Sequence, residues 1–200
     1  MVNNFEIIKS FLDFSNPDTY YFLQILQRRK DNPELTKDIH IIDDIFIYNM
    51  EQYDRMQLEI IATCNLHNAR AYFRLNKRSL KKSAMRLLKK VTTMIIDENY
   101  KSVKNAYSSV SGEFSSDDDK KWIVDVDNVS LDGNFGSNHQ SMLMTLKHLQ
   151  IETGREPMLT VIQTKSGAHI ITRPFNVSEF KKLYPNIDIH KDNPTILYVP

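Results

Sequence analysis

The stretch KWIVDVDN, residues 121–128, decides the fold. Val124 and Val126 alternate with Asp125 and Asp127, and a polarity period of two predicts a β-strand with one buried face. Because side chains two residues apart share a face of a strand, the two carboxylates project together. The sequence therefore predicts a buried strand that presents a pair of acids.

The paired carboxylates predict a divalent cation site. Two carboxylates side by side repel each other unless a cation neutralises them. Hard oxygen ligands suit Mg²⁺ or Mn²⁺, and Mg²⁺ typically bridges protein carboxylates to substrate phosphates. A plainer interpretation is that Asp127 and Asn128 start a turn.

Outward from this strand, the second half of the chain alternates between strands and helices. The predicted strands are residues 121–126, 158–163, 169–172, 187–190 and 195–199. The predicted helices are residues 138–154, ended by Gly154, and residues 178–183. The order β-α-β-β-α-β-β is close to a split βαβ, or ferredoxin-like, unit.

The first half predicts a less regular mixture of helices and strands. Helices are expected at residues 5–14, at 17–29 after an Asn16 cap with Pro17 at the first position, and at 80–95 after a Ser79 cap. Strands are expected at residues 39–48, 58–64 and 69–75, the last two as a pair. Residues 107–120 are polar and predict a loop or module boundary.

The composition is that of a globular protein. Of its 200 residues, 41% are hydrophobic and 26% are charged, which suffices for a real core. No apolar run is long enough to span a bilayer, and the first residues lack a signal-peptide layout. The single Cys64 excludes a disulfide framework. We therefore expect a cytoplasmic protein, in a bacterial or phage-type setting, without a membrane partner.

The net charge is only +1, but the charges are unevenly distributed. Residues 70–90 are basic and contain no acid, whereas residues 113–132 are rich in acids, including Asp117, Asp118 and Asp119. A basic segment beside an acidic centre is typical of metal enzymes that handle polyanions. A solvated helix face beside an acidic loop explains the same charges. Our candidates for contacts with template or primer phosphates are Arg70, Arg74, Lys77 and Arg78.

A second candidate motif is the strand and turn over residues 159–173, LTVIQTKSGAHIITR. The turn at Ser166 and Gly167 brings together backbone amides, the Lys165 ammonium and the His169 imidazole, which suits an anion. A histidine hydrogen-bonded inside a strand is the plainer interpretation of His169.

A third candidate is Asp188, which lies between Ile187 and Ile189. A carboxylate among apolar neighbours is costly without a partner. A metal shared with Asp125 and Asp127 would supply that partner. His190 and Asp192 are expected to be turn residues.

Together the three motifs resemble the archaeo-eukaryotic primase superfamily, which includes primase-polymerases. The resemblance rests on Asp125 and Asp127, on the Ser-Gly-x-His turn that ends at His169, and on Asp188. It covers residues 121–200, with a weaker echo in the basic residues 69–79.

This resemblance implies an α+β fold of two modules. An N-terminal αβ module (residues 1–110) would pack on an RRM-like, split βαβ catalytic module (residues 111–200). Asp125, Asp127 and Asp188 would hold two Mg²⁺ or Mn²⁺ ions for nucleotidyl transfer. The nucleotide triphosphate would be bound by Lys165, Ser166, Gly167, His169 and Arg173. The implied partners are nucleoside triphosphates, a single-stranded DNA template and a replicative helicase or replication complex.

Two alternatives stay open. A haloacid-dehalogenase-like phosphatase also starts from a strand ending in Asp-x-Asp, with Thr164 as its second motif and Asp188 and Asp192 as its distal acids. A non-catalytic RRM-like nucleic-acid-binding module would need exposed strand aromatics, for which Tyr72 and Phe73 are the candidates.

Overall fold

The structure, a computed structural model, describes residues 1–113, 119–127, 137–154 and 156–200. Within these ranges the chain is mixed α+β, with two antiparallel sheets and six α-helices. The strands are β1 (Val2–Asn3), β2 (Thr19–Arg28), β3 (Ile39–Ile47), β4 (Arg70–Ser79), β5 (Trp122–Asp127), β6 (Leu159–Gln163), β7 (Gly167–Thr172), β8 (Asp188–His190) and β9 (Thr195–Val199). The helices are α1 (Phe5–Lys9), α2 (Met50–His67), α3 (Leu80–Ile96), α4 (Ala106–Glu113), α5 (Ser137–Ile151) and α6 (Val177–Leu183), and a 3₁₀ helix spans Tyr100–Asn105.

Sheet A contains five strands in the order β1-β9-β4-β2-β3, and every neighbouring pair is antiparallel. Residues Tyr53, Ile60 and Cys64 of α2 pack with Phe73 of β4 in the main hydrophobic core. Sheet A includes β9, so it combines strands from both halves of the chain. The division into modules at residues 1–110 and 111–200 stays a prediction.

Sheet B contains four strands in the order β6-β7-β5-β8, again all antiparallel. Val124 and Val126 of β5 share a hydrophobic cluster with Leu146 of α5 and Phe180 of α6. Helices α5 and α6 therefore cover this face of the sheet. Because side chains alternate along a strand, Asp125 and Asp127 point to the opposite face.

The predictions for the second half are largely confirmed: β5 to β9, α5 and α6 all lie where the sequence pattern puts them. Gly154 ends the α5 segment with φ +73°, and its N–H donates to the Ile151 carbonyl at 2.9 Å. In the first half, β3, β4 and α3 are confirmed. The Ser79 side chain caps α3 by accepting from the Lys82 N–H, as predicted.

The helix predicted for residues 17–29 is wrong, because this segment forms β2. Strand β2 lies inside sheet A between β3 and β4, and most of its side chains are buried on both faces, so they show no period of two. Asn16 does not cap a helix. Its side chain accepts from the Asp18 N–H at 2.9 Å and forms a local turn before the strand.

The strand predicted for residues 58–64 is also wrong, because these residues lie within α2. Asn49 caps this helix by accepting from the Gln52 N–H, and Asn68 ends it in the left-handed region at φ 45°. The buried residues Tyr53, Ile60 and Cys64 follow helical spacing. The mainly apolar residues 58–64 suggested a strand because that segment was read without the caps at Asn49 and Asn68, which lie outside it.

Two predictions concern segments that are shorter than expected or only partly described. The predicted helix at residues 5–14 is confirmed only over α1, which ends at Lys9. The loop predicted for residues 107–120 is wrong at its start, where α4 extends to Glu113. Residues 114–118, with Asp117 and Asp118, lie outside the described residues. Across the described ranges, no helix has the length and apolarity needed to cross a bilayer.

Candidate active-site cleft

The face of sheet B opposite α5 and α6 opens onto a cleft that sheet A closes from the other side. The cleft holds a cavity of about 380 Å³. Sheet A contributes Gln24, Leu26, Arg28, Ile39 and Tyr72 to its lining, and sheet B contributes Asp125, His169 and His190. Asn193 and Pro194, between β8 and β9, complete the wall. The first predicted carboxylate is thus part of a cavity between the two sheets.

The three predicted carboxylates share one face of sheet B. Asp125 is the register partner of Asp188 on β8 and of His169 on β7, and partners in adjacent strands lie side by side. Asp127 lies two residues further along β5, on the same face. The Asp125 side chain is 35% exposed, whereas Asp127 and Asp188 are exposed residues. The register therefore gathers acids that the sequence separates by about sixty positions.

Two histidines flank Asp125. Nε2 of His169 lies 3.6 Å from Oδ1 of Asp125, and Nε2 of His190 lies 4.0 Å from Oδ2. On its other side, Nδ1 of His169 lies 2.8 Å from the Thr195 hydroxyl. Burial lowers the pKa of His169, and the Asp125 charge opposes this only in part. The neutral imidazole is therefore favoured, and it can accept from Thr195 while its Nε2–H faces Asp125.

The acids fit a hard divalent cation in their chemistry, since carboxylate oxygens are the ligands of Mg²⁺ and Mn²⁺. In the part of the chain that the structure describes, no group of three or more His, Cys, Asp or Glu side chains is arranged to hold a metal ion. Magnesium commonly uses one or two protein carboxylates, with substrate phosphates and water as its other ligands. Asp125 with Asp188 or Asp127 supplies that smaller set.

The hairpin between β6 and β7 carries the predicted anion-binding turn. The Thr164 N–H donates to the Gly167 carbonyl at 2.9 Å, which leaves Lys165 and Ser166 exposed at the tip. A Cβ at Gly167 would lie 2.2 Å from the Val126 carbonyl oxygen. The glycine is thus required by the close approach of β5 and β7.

A group of cations surrounds Asp31 beside the cleft. Asp31 accepts from Nε of Arg70 at 2.7 Å and from Nζ of Lys165 at 2.6 Å. Burial, followed by the nearby positive charges of Arg70 and Arg28, lowers the pKa of Lys30. Two cations are thus bonded to Asp31, Lys30 and Arg28 lie near Arg70, and Arg28 lines the cavity. This excess of positive charge suits an anionic ligand.

Predicted phosphate contacts on β4 are bonded within the protein. Arg70 is buried against Asp31, and Arg78 is buried with Nη2 3.0 Å from Oδ2 of Asp192. Nη1 of Arg74 donates to the Asp192 carbonyl at 2.6 Å, and Nζ of Lys77 lies 2.9 Å from Asp13. Their role in binding nucleic acid stays a prediction.

Asp192 itself is not the simple turn residue that the sequence suggested. Besides Arg78, it accepts from Asn76 at 3.0 Å. Asn76 also accepts from the Lys121 N–H at 2.6 Å and donates to the Lys121 carbonyl at 3.0 Å. We call Asn76, Arg78, Asp192 and the Lys121 backbone the inter-sheet clamp, because these bonds join β4 of sheet A to the start of β5 and the end of β8.

Arg173 does not join the other predicted nucleotide ligands. It follows Thr172, at the opposite end of β7 from Gly167. Its Nε donates to Asp119 at 3.2 Å, and its backbone N–H donates to the Gln150 side chain at 2.9 Å. The structure thus brings His169 to the cleft and leaves Arg173 outside its lining.

Sequence reasoning did not assign Arg28, Tyr72 or His190 to the metal or nucleotide site, although all three line the cleft. His190 was recognisable, because it lies two residues after Asp188 on the same strand and so shares its face. Arg28 was hidden by the wrong helix prediction for its segment. Tyr72 was named only as a weak stacking candidate, and its place in the cleft depends on how the two sheets pack.

Comparisons with known proteins found no significant match, whether to a protein-family model, to a curated protein or to a solved structure. The chemistry of the cleft, with the sequence resemblance, therefore carries the functional argument.

Proposed function

We propose that the chain is a template-dependent nucleotidyltransferase of the primase and primase-polymerase type, which acts in DNA replication on a single-stranded DNA template. The observation that carries this proposal is the cleft. It combines Asp125, with Asp127 and Asp188 on the same face, and a cationic wall at Arg28. Polyphosphate transfer needs both charges: acids for the metal ions and cations for the phosphates.

The cationic side of the cleft supports the binding of a nucleoside triphosphate. Arg28 lines the cavity, and Lys165 and Arg70 meet at Asp31 nearby. In the proposal, the triphosphate lies along this wall and the Lys165 ammonium turns from Asp31 toward phosphate oxygens. The base and sugar lie against Leu26, Ile39 and Tyr72, whose apolar surfaces form the floor on sheet A.

The acidic side supports the transfer step. Asp125, Asp127 and Asp188 would hold Mg²⁺ or Mn²⁺, which would supply charge neutralisation for the attacking 3′-hydroxyl and the leaving pyrophosphate. The chain's own histidines lie on both sides of Asp125. His169 is hydrogen-bonded to Thr195 and faces one carboxylate oxygen of Asp125 at 3.6 Å, and His190 approaches the other at 4.0 Å.

The topology of sheet B supports the RRM-like part of the proposal. In the segment from β5 to β8, each βαβ connection skips one strand, and the skipped strand lies between the two that it joins. Such an order agrees with the split βαβ arrangement that the proposal requires. The acids leave the central strand β5 on the face that the helices do not cover, where substrates have access.

The alternatives have less support. Asp192, a distal acid of the phosphatase interpretation, is bonded to Arg78 and Asn76. Phe73, one of the two aromatic candidates for a base-stacking surface, is buried in the core. Only Tyr72 of that pair faces the cleft.

The test is incorporation of labelled nucleotides by the purified chain. Ribonucleotides and deoxyribonucleotides are supplied separately, on primed and unprimed single-stranded DNA, with Mg²⁺ or Mn²⁺. We expect incorporation that depends on the metal and on the template. Asp125→Ala should abolish it while the circular dichroism spectrum stays unchanged, because this side chain is partly exposed. Glu59→Ala, an exposed acid on α2, is the control and should keep full activity.

Two results would contradict the proposal. One is the absence of incorporation with either metal by a chain that is folded. The other is activity that survives Asp125→Ala. Phosphate release from p-nitrophenyl phosphate that depends on Asp125 would favour the phosphatase instead.

A further inference from the structure

Helix α3 carries more apolar surface than its packing uses. Its inner side, with Leu87, Val91 and Met94, is half-buried, and Ser83 is its only fully buried residue. A second apolar side faces outward. It consists of Met85, Leu88, Ile95 and Ile96, which are 67%, 71%, 50% and 75% exposed. These four residues, the α3 apolar face, lie on one side of the helix by their spacing.

The charge on α3 is of one sign. Lysine and arginine occur from Lys81 to Lys90, and no acid occurs between Leu80 and Ile96. Lys90 is bonded to Glu113 of α4, whereas Lys82 and Lys89 lie beside the α3 apolar face, on exposed positions. A ligand that covers the apolar face therefore also meets positive charge, and charge complementarity requires it to be acidic.

The chemistry of this face favours a protein helix over other acidic partners. The groove of about 430 Å³ between α3 and α4 is lined by Lys89, Met94 and Val110 among others, and it adjoins the α3 apolar face without including any of its four residues. Aliphatic side chains cannot stack on bases as aromatic ones do, which disfavours single-stranded nucleic acid. An amphipathic helix fits an apolar strip with a charged border.

We propose that the α3 apolar face, with its basic border, docks an acidic amphipathic helix of a partner protein. Its apolar side chains would cover Met85, Leu88, Ile95 and Ile96, and its carboxylates would meet Lys82 and Lys89. This surface lies on other elements than the cleft, so the inference does not depend on nucleotidyl transfer.

The test is fluorescence anisotropy with the full chain and a labelled synthetic peptide. The peptide has about 18 residues, or five turns, with Leu at helical spacing and Glu elsewhere. A scrambled peptide of the same composition is the control for charge alone. We expect the patterned peptide to bind. Leu88→Glu should raise the dissociation constant roughly tenfold or more, because Leu88 would be buried under the bound helix. Leu58→Glu, on an α2 residue that is 80% exposed, should leave binding unchanged.

Several results would overturn the proposal. One is equal affinity for the scrambled and the patterned peptide. Another is a loss of affinity in Leu58→Glu as large as that in Leu88→Glu. A third is binding of a single-stranded oligonucleotide, or of vesicles that contain phosphatidylserine, that is weakened by Leu88→Glu to the same extent. Self-association in sedimentation velocity that is lost in Leu88→Glu would assign the face to a second copy of this chain. Circular dichroism of each variant separates these results from unfolding.

Discussion

Asp31 is the residue on which the positive charge beside the cleft converges. Burial acts to raise its pKa, but the hydrogen bonds from Lys165 and Arg70 outweigh burial and lower it. A carboxylate whose pKa is lowered in the fold stabilises the fold above its unfolded pKa of about 3.9. That stabilisation is lost as the pH falls through the folded pKa.

Asp31→Asn should therefore lower the free energy of unfolding at pH 7 by about 3 kcal/mol, because buried Arg70 loses its charged partner. Urea titrations at pH 7 and pH 3 check this. The difference in free energy of unfolding between the variant and the wild-type chain should be smaller at pH 3. Asp54→Asn is the control. It removes an exposed pair with Lys9, and solvent screening leaves such pairs little effect on stability. An equal effect of both variants would contradict the assignment.

Gly167 allows β7 to approach β5 closely. A methyl group there would meet backbone at Val126, which cannot move aside as a side chain can. We expect Gly167→Ala to destabilise the fold by about 2–3 kcal/mol, as in overpacked cores. It should also reduce nucleotide incorporation, because its register partner is Asp127.

The control for this prediction is Ser166→Ala, one residue earlier and exposed, which should change stability by no more than about 0.5 kcal/mol. Urea denaturation measures both variants. If the two are equally stable, the close approach of the strands is not as described.

At the scale of elements, the inter-sheet clamp sets how β4 lies against β5. Asn76 is buried and satisfies both backbone groups of Lys121. Asn76→Ala leaves these groups without that partner, and each buried unsatisfied group costs about 1–3 kcal/mol. We expect a clear drop in the melting temperature, together with a weaker affinity for nucleotide, because the cleft loses its spacing.

Calorimetry and nucleotide titration on Asn76→Ala measure the two effects. Asn65→Ala on α2 is the matched control, since Asn65 is exposed and its side chain accepts from the Tyr198 hydroxyl, away from the cleft. A lower stability with unchanged nucleotide affinity would show that the clamp holds the fold but not the cleft.

The sequence is sufficient for elements whose pattern is local. Strand β5 alternates from Val124 to Asp127, and α3 has a cap and a helical stripe, so both are predicted correctly. Strand β2 is not, because its burial on both faces comes from neighbours that are distant in the chain. In α2, the Asn49 cap lies well before the apolar segment that suggested a strand.

The same distinction applies to the cleft. The shared face of Asp125 and Asp127 follows from their spacing, whereas the position of Arg28 and Tyr72 opposite them follows only from the packing of sheet A on sheet B. A pattern within one strand cannot contain that information.

At the scale of the whole molecule, the cleft combines charges of both signs from the two sheets. If it binds a nucleoside triphosphate as proposed, Arg28→Gln should weaken that binding roughly tenfold, as expected when one charged hydrogen-bond donor is lost. Isothermal titration with the nucleotide and Mn²⁺ measures the dissociation constant. Arg29→Gln, the exposed neighbour that does not line the cavity, should bind as the unchanged chain does. If both variants weaken nucleotide binding equally, the effect comes from the overall positive charge and not from a contact of Arg28.

The pairing of β9 with β1 and β4 has a consequence for how the protein folds. Val2 pairs with Val199, so sheet A depends on contacts between residues nearly two hundred positions apart. Chains dominated by such distant pairings fold slowly, because loop closure precedes the gain from contact. The β6–β7 hairpin, closed by two residues, can form while the chain is still being synthesised. Thr195, which holds His169, lies on β9. The histidine beside Asp125 therefore gains its support only once β9 has joined sheet A.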